Sequence, residues 1–167
     1  MVLSVSGGCP EVAPRSWSAA SDVEKRQDQL GEAIDSSQLS GFFWQRKKQR
    51  QEAVIKLLHK VGIKKHSQCL NSYPHQLTEA ICQRVMIAIA LAGRPILLIA
   101  DEPTAAMEST NQGQIFRLLA NLNQLQNMSI LLISHDLENI TNWTNTITVM
   151  YIGKFVEVGT TTQSSLV

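Results

Sequence analysis

Apolar residues along this chain alternate between two spacings, and the changes between them mark out elements. Val54, Leu57, Leu58 and Val61 recur at i, i+3, i+4 and i+7. That spacing gathers one stripe on a helix, so a helix is predicted over 51–61, with Gly62 as its C-terminal stop. A second helix is predicted over 78–92. Thr78 can cap its N-terminus, and residues 85–92 are apolar all round, as in a helix buried on every side. Gly93 and Pro95 end it. Residues 96–100 are short, apolar and bounded by Pro95 and Asp101, the pattern of a central parallel strand covered on both faces. Residues 111–125 put Ile115, Leu118, Leu119, Leu122 and Leu125 on one helical stripe. Residues 129–134 read as a second buried strand and 136–143 as a helix. Residues 146–151 and 155–158 flank Gly153-Lys154 as a hairpin.

The order from residue 96 is strand, helix, strand, helix, hairpin. A strand–helix–strand unit implies a right-handed parallel crossover, so the fold class is α/β. The helices before residue 96 read as a separate helical subdomain over 29–92, followed by a core over 93–160 and a tail over 161–167. Residues 1–28 are crowded with Ser, Gly and Pro and show neither period, so they are expected to be disordered.

Composition narrows the classes. A chain of 167 residues with 44% hydrophobic and 17% charged residues is globular. A net charge of +1 gives no field to draw nucleic acid, and no basic–aromatic stripe appears. The run 46–50 is the one dense basic cluster, and it reads as a solvated helix face. Three cysteines without CxxC spacing support neither a disulfide framework nor a zinc site, and Cys82 reads as a small packing residue. The longest apolar stretch, 85–100, is broken by Gly93-Arg94-Pro95, so no span is predicted and membrane association would come through a partner. No GxSxG elbow occurs.

The segment with most chemical content is 96–104, where an apolar strand runs directly into Asp101, Glu102, Pro103 and Thr104. Both acids then lie at the carboxyl end of a parallel strand, where α/β sheets bind ligands. Asp101 can hold Mg²⁺ directly or through water, and Glu102 can orient or deprotonate a water aimed at a phosphate. A carboxylate pair that merely caps a loop would give the same letters. Ser134-His135-Asp136 ends the second predicted strand, which brings His135 to the same edge of the sheet. There an imidazole can donate to a phosphate oxygen.

Four segments in order then resemble the ATP-binding subunits of oligopeptide and dipeptide ABC transporters. They are Tyr73-Pro74-His75-Gln76-Leu77, Gln83-Arg84 with the apolar run after it, Asp101-Glu102-Pro103-Thr104, and Ile133-Ser134-His135-Asp136-Leu137. Residues 42–46, residues 59–64 and the unusual Leu77-Thr78-Glu79 point to the Sap-type branch, associated with antimicrobial-peptide uptake. The resemblance covers about residues 29 to 160. It implies a partial P-loop NTPase core of the ABC type with a helical subdomain and a C-terminal β-hairpin. It implies Asp101 as the Walker B aspartate, Glu102 as the catalytic glutamate and His135 as the switch histidine. It places Thr78, Glu79 and Ala80 at the signature that faces a partner's ATP, and Ala106, Met107 and Glu108 in the D-loop. ATP and Mg²⁺ are the cofactors it implies. The partners are transmembrane permease subunits and a second ATP-binding subunit, homo- or heterodimeric, at the cytoplasmic face of the membrane.

The departures carry as much information. No GxxxxGK[ST] occurs anywhere, so the backbone N–H groups and lysine that surround a triphosphate are missing. The first two strands of the core are expected to be absent, which would leave 96–100 with an exposed edge. Glu79 stands where the family has glycine. A carboxylate there suits the helix dipole, but it repels a nucleotide by several kcal/mol per like-charge pair at ~4 Å and an effective dielectric of ~20. Glu108 lengthens the D-loop acid by one methylene. A truncated reading frame is the expectation, and the chain alone is expected not to hydrolyse ATP. The alternatives are a non-catalytic module that docks on the membrane subunits or on an intact ATP-binding partner, and a chain without a stable fold.

Overall fold

The computed structural model describes residues 2–6, 30–31, 33–34, 43–105 and 107–161. It divides into two compact units, residues 1–133 and 134–167, and each is taken by itself.

In the first unit, strand β1 (Val2–Ser6) leads, followed by helices α1 (Phe43–Lys60) and α2 (His66–Asn71) and a 3₁₀ turn (Pro74–Gln76). Helix α3 (Glu79–Ala92), strand β2 (Leu97–Asp101), helix α4 (Ser109–Gln126) and strand β3 (Ser129–Ile133) complete it. The sheet order is β1-β2-β3 with both pairings parallel. Val2 pairs with Leu97, and Leu97 with Ser129. Residues 1–28 were expected to lack structure, and β1 differs from that. Its apolar residues are too few to show a period, and its ladder partner lies far along the chain. β2 is consequently the central strand, and its expected exposed edge is covered.

Helix α3 carries the burial its composition demands, with Val85, Ile87 and Ala88 wholly inaccessible. It packs on α1, β1 and α4. Leu58 and Val61 from the end of α1, Leu98 and Ala100 of β2, and Ile115 and Leu119 of α4 join one core. Each fully buried Leu or Ile contributes about 1.5–3 kcal/mol of transfer free energy. Cys82 is buried and unbridged, as a packing residue should be, and Lys48 and Arg50 of the basic run are exposed.

One expectation about the sheet fails. β2 and β3 were read as buried on both faces, yet only alternate residues of β2 are buried. In β3, Leu131 and Ile133 remain 49% and 45% exposed. The register puts Ile99 beside Leu131 and Asp101 beside Ile133, so these residues share one face. Among the described residues α3 and α4 pack against the sheet's other face, where Leu98 and Ala100 join the helical core.

Helix α1 begins eight residues before the predicted 51–61, because its first two turns carry no apolar stripe. The remaining helices and strands of the unit fall within a few residues of their predicted bounds.

The second unit holds helix α5 (Leu137–Thr141) and the antiparallel pair β4 (Thr146–Tyr151) and β5 (Lys154–Thr160). Tyr151 pairs with Lys154 across the two-residue turn Ile152-Gly153, whose φ values are +47° and +72°. Two positive φ values in a two-residue hairpin loop make a type I′ turn. The predicted hairpin is present, with its turn one residue earlier. No helix among the described residues is long and apolar enough to cross a membrane.

Candidate functional site

β2 delivers the acid pair. Asp101 is its last residue, paired with Ile133 and exposed. Glu102 leaves the strand at φ +46°, a left-handed conformation, while its N–H still donates to the Ile133 carbonyl at 2.9 Å. A non-glycine residue in that region costs about 1–3 kcal/mol and persists where surrounding contacts hold it. Here the ladder bond and buried Pro103 and Thr104 supply those contacts. The conformational change also ends the strand's strict alternation.

A tight turn follows. Ala105 N–H donates to the Glu102 carbonyl at 3.2 Å, and Met107 N–H to the Thr104 carbonyl at 3.0 Å. Gln112 of α4 reaches back, its Nε2 donating to the carbonyls of Met107 at 3.2 Å and Thr104 at 3.5 Å. Glu108 occupies the N-cap position of α4, exposed and without a side-chain capping bond. Its carbonyl accepts from the N–H groups of Asn111 and Gln112. Met107 is half-buried, and Ala106 lies outside the described residues.

The signature-like residues sit on a different element. Thr78 is the N-cap of α3 in position and in extended backbone, but its hydroxyl makes no capping bond. Its carbonyl accepts from Ile81 and Cys82 N–H. Glu79 opens the first turn and is exposed, and Ala80 is half-buried. The carboxylate of Glu79 therefore stands at the positive end of a 14-residue helix. His135 is exposed and belongs to the second unit, two residues beyond the end of β3.

The structure thus joins Asp101, Glu102, Met107 and Glu108 into one strand–turn–helix, with Thr78, Glu79 and Ala80 on the preceding helix. Two further residues, to which the sequence reading assigned no role at the site, brace the segments around it. Gln112 holds the turn, as above. Arg84 of α3 donates from Nη1 to the Val61 carbonyl at 2.7 Å and from Nη2 to Gln114 Oε1 at 3.2 Å. Burial holds its pKa below the usual arginine value. The available signal for Arg84 was its place in the Gln83-Arg84 segment, as the one cation of α3.

The donors present suit some of the groups the resemblance implies and not others. An exposed carboxylate at the carboxyl end of a parallel strand fits Mg²⁺, which binds through one or two carboxylates and keeps several waters. No cluster of three or more His, Cys, Asp or Glu occurs among the described residues, and Mg²⁺ needs none. The phosphate cradle is a different matter, since its glycine-rich sequence is absent from the chain. The residues present fit the metal-and-water side of a nucleotide site and do not supply the other side.

Comparison with known proteins names the family. The chain is 54% identical over 129 residues to the peptide transport system ATP-binding protein SapD of Escherichia coli O6:H1, which covers 77% of this chain and 39% of that protein. It is 50% identical over 113 residues to the dipeptide transport ATP-binding protein DppD of E. coli K12, covering 68% of this chain and 35% of that one. The chain therefore spans well under half the length of these relatives. The peptide-transport branch read from the motifs is the branch to which they belong. Among solved structures, cbiO1 from Clostridium perfringens, part of the ABC transporter complex cbiONQ, superposes with a TM-score of 0.76 at 21% identity, covering 96% of this chain and 57% of that one. The dimeric ATP-binding cassette MJ0796, in a post-hydrolysis state bound to ADP and Pi, gives 0.66 at 24% identity, covering 82% and 56%. These likenesses establish the fold as a partial ABC-type P-loop NTPase core. The ABC transporter family model matches residues 12–105, more than half of the sequence, and the chain belongs to that family.

Proposed function

We propose that this chain supplies the acid-bearing half of the ATP-binding subunit of a peptide-uptake transporter. The observation that carries the reading is the junction of β2 and its turn, where Asp101 ends a central parallel strand and Glu102 is fixed just beyond it. Asp101 would hold Mg²⁺ through a carboxylate oxygen, and bound Mg²⁺ would neutralise phosphate charge. Glu102 would orient the attacking water and accept its proton. His135 would donate a hydrogen bond to a terminal phosphate oxygen. Thr78, Glu79 and Ala80 would face a nucleotide held by a second ATP-binding subunit, with Ala106, Met107 and Glu108 beside that contact. Residues 29–92 would be the helical subdomain and 93–160 the second half of the core. Transmembrane permease subunits would recruit the assembly to the cytoplasmic face of the membrane.

The chain alone is expected not to turn over ATP, because its sequence holds no GxxxxGK[ST] cradle. The test is binding of a fluorescent ATP analogue to the purified chain with and without Mg²⁺, followed by phosphate release. Mg²⁺-dependent turnover abolished by Glu102→Gln would overturn the expectation of inactivity and keep the role of Glu102. Turnover unaffected by Glu102→Gln would overturn both.

A second reading rests on the helical layer. An open cleft of about 570 Å³ there is lined by Ile55, Lys64, Lys65, His66 and Leu70, among others. It would suit docking on a membrane subunit without use of ATP. Capture of permease subunits that is insensitive to ATP and lost in Lys64→Glu/Lys65→Glu would support it, and capture unchanged by that variant would sink it.

A further inference from the structure

We infer that Arg84 and Gln114 are positioning residues that tether the turn after the acid pair to the end of α1, acting through the rigid helix α4. The connection is made of two sets of hydrogen bonds joined by one turn of helix α4. Arg84 Nη1 binds the Val61 carbonyl just past α1, and Nη2 binds Gln114 on α4. Two residues before Gln114 on that helix, Gln112 binds the carbonyls of Thr104 and Met107.

Arginine suits the task. Its planar fork directs two bonds in fixed directions, which the point charge of a lysine cannot reproduce. The first acceptor lies at the C-terminal, negative end of an 18-residue helix, so a cation is favoured there. The packing is built around the fork as well. A Cβ at Gly62 would lie 2.8 Å from Nη1, so a bare residue at that position is what admits the guanidinium. Movement of the α1 terminus is passed by Arg84 to Gln114, and α4 carries it to Gln112 and the Thr104–Met107 hydrogen bonds. Only the purpose of the tether rests on the proposed function, in which it would report docking on the helical layer to the segment beside Glu102. The tether itself needs no nucleotide.

Amide hydrogen exchange on the full chain without nucleotide tests it, reading the Met107 amide against peptides covering 85–92 of α3. Gln114 is exposed, so its replacement leaves the core intact. Gln114→Leu should raise the Met107 exchange rate about fivefold, the worth of one net hydrogen bond. Gln114→Glu keeps an acceptor for Arg84 and should hold the wild-type rate. Gln112→Leu should raise the rate at least as much, with α3 unchanged in all three. The inference is overturned if Gln114→Leu and Gln114→Glu behave alike, if Met107 does not respond, or if the α3 peptides exchange faster too. ATP turnover that Glu102→Gln leaves unchanged, with an intact Met107 response, would sink the site reading and leave the tether standing.

Discussion

The Glu102 amide donates to the Ile133 carbonyl across 2.9 Å, one bond beyond the last paired rung of β2 and β3. The second acid is therefore held by a neighbouring strand and not by its own side chain alone. Glu102→Gln keeps the N–H and the backbone conformation, and the urea midpoint should correspond to a change within about 0.5 kcal/mol. Glu102→Pro removes the donor and requires φ near −65°, against the observed +46°, and should cost about 3 kcal/mol or more. Equal losses in the two variants would show that the ladder bond does not hold the junction.

Gly62 has φ +77°, and an added Cβ would press on Arg84 Nη1. Gly62→Ala should destabilise by about 1–3 kcal/mol from backbone strain and the displaced guanidinium. In an Arg84→Ala background the same change should cost about 1 kcal/mol less, a coupling read from a double-mutant cycle of denaturation midpoints.

Gln83 is only 3% exposed, and its Nε2 has no hydrogen-bond partner among the described residues. A buried donor left unmade costs about 1–3 kcal/mol. Gln83→Met retains the length of the side chain without the amide and should stabilise by about 1 kcal/mol in thermal melts. A destabilised variant would mean that the amide oxygen contributes more than the orphaned nitrogen costs.

Ile152 occupies the first turn position of the hairpin at φ +47°, where a β-branched side chain is strained. Asn-Gly is the favoured pair for this turn. Ile152→Asn should slow amide exchange in peptides covering β4 and β5 about fivefold, equivalent to about 1 kcal/mol of relieved strain.

Leu131 and Ile133 are apolar and half exposed on one face of the sheet. Leu131→Lys and Ile133→Lys should each change stability by about 0.5 kcal/mol or less and raise the concentration at which the chain aggregates, measured by light scattering. A large loss of stability would place these side chains in a core.

The helices and the acid-bearing strand were legible because each carries its own signal. The stripe Ile115, Leu118, Leu119, Leu122 writes α4, although Leu125, read on the same stripe, is exposed at the helix end, and the apolar run before Asp101 writes β2. The start of α1 was not legible, since residues 43–50 have no apolar period to read. β1 was hidden for another reason. Three apolar residues are uninformative until Leu97–Asp101 supplies the other half of the ladder. The half-exposed sheet face was missed because strand composition reports hydrophobicity, while burial depends on which layer lies above it. Asp101 and Glu102 were recognisable by chemistry at a strand end. Gln112 and the bonding role of Arg84 were not, because most of their acceptors are backbone carbonyls, and Val61 lies 23 residues from Arg84. Such contacts leave no trace in residue type.

The bare position at residue 62 has a consequence for how sequences of this kind can diverge. A side chain there and a full-length arginine at 84 compete for one volume, since the Cβ of the first would fall 2.8 Å from the tip of the second. The two sites are bound to drift as a pair. A lineage that loses the glycine must shorten or redirect residue 84, and then find another anchor for the carbonyl of Val61.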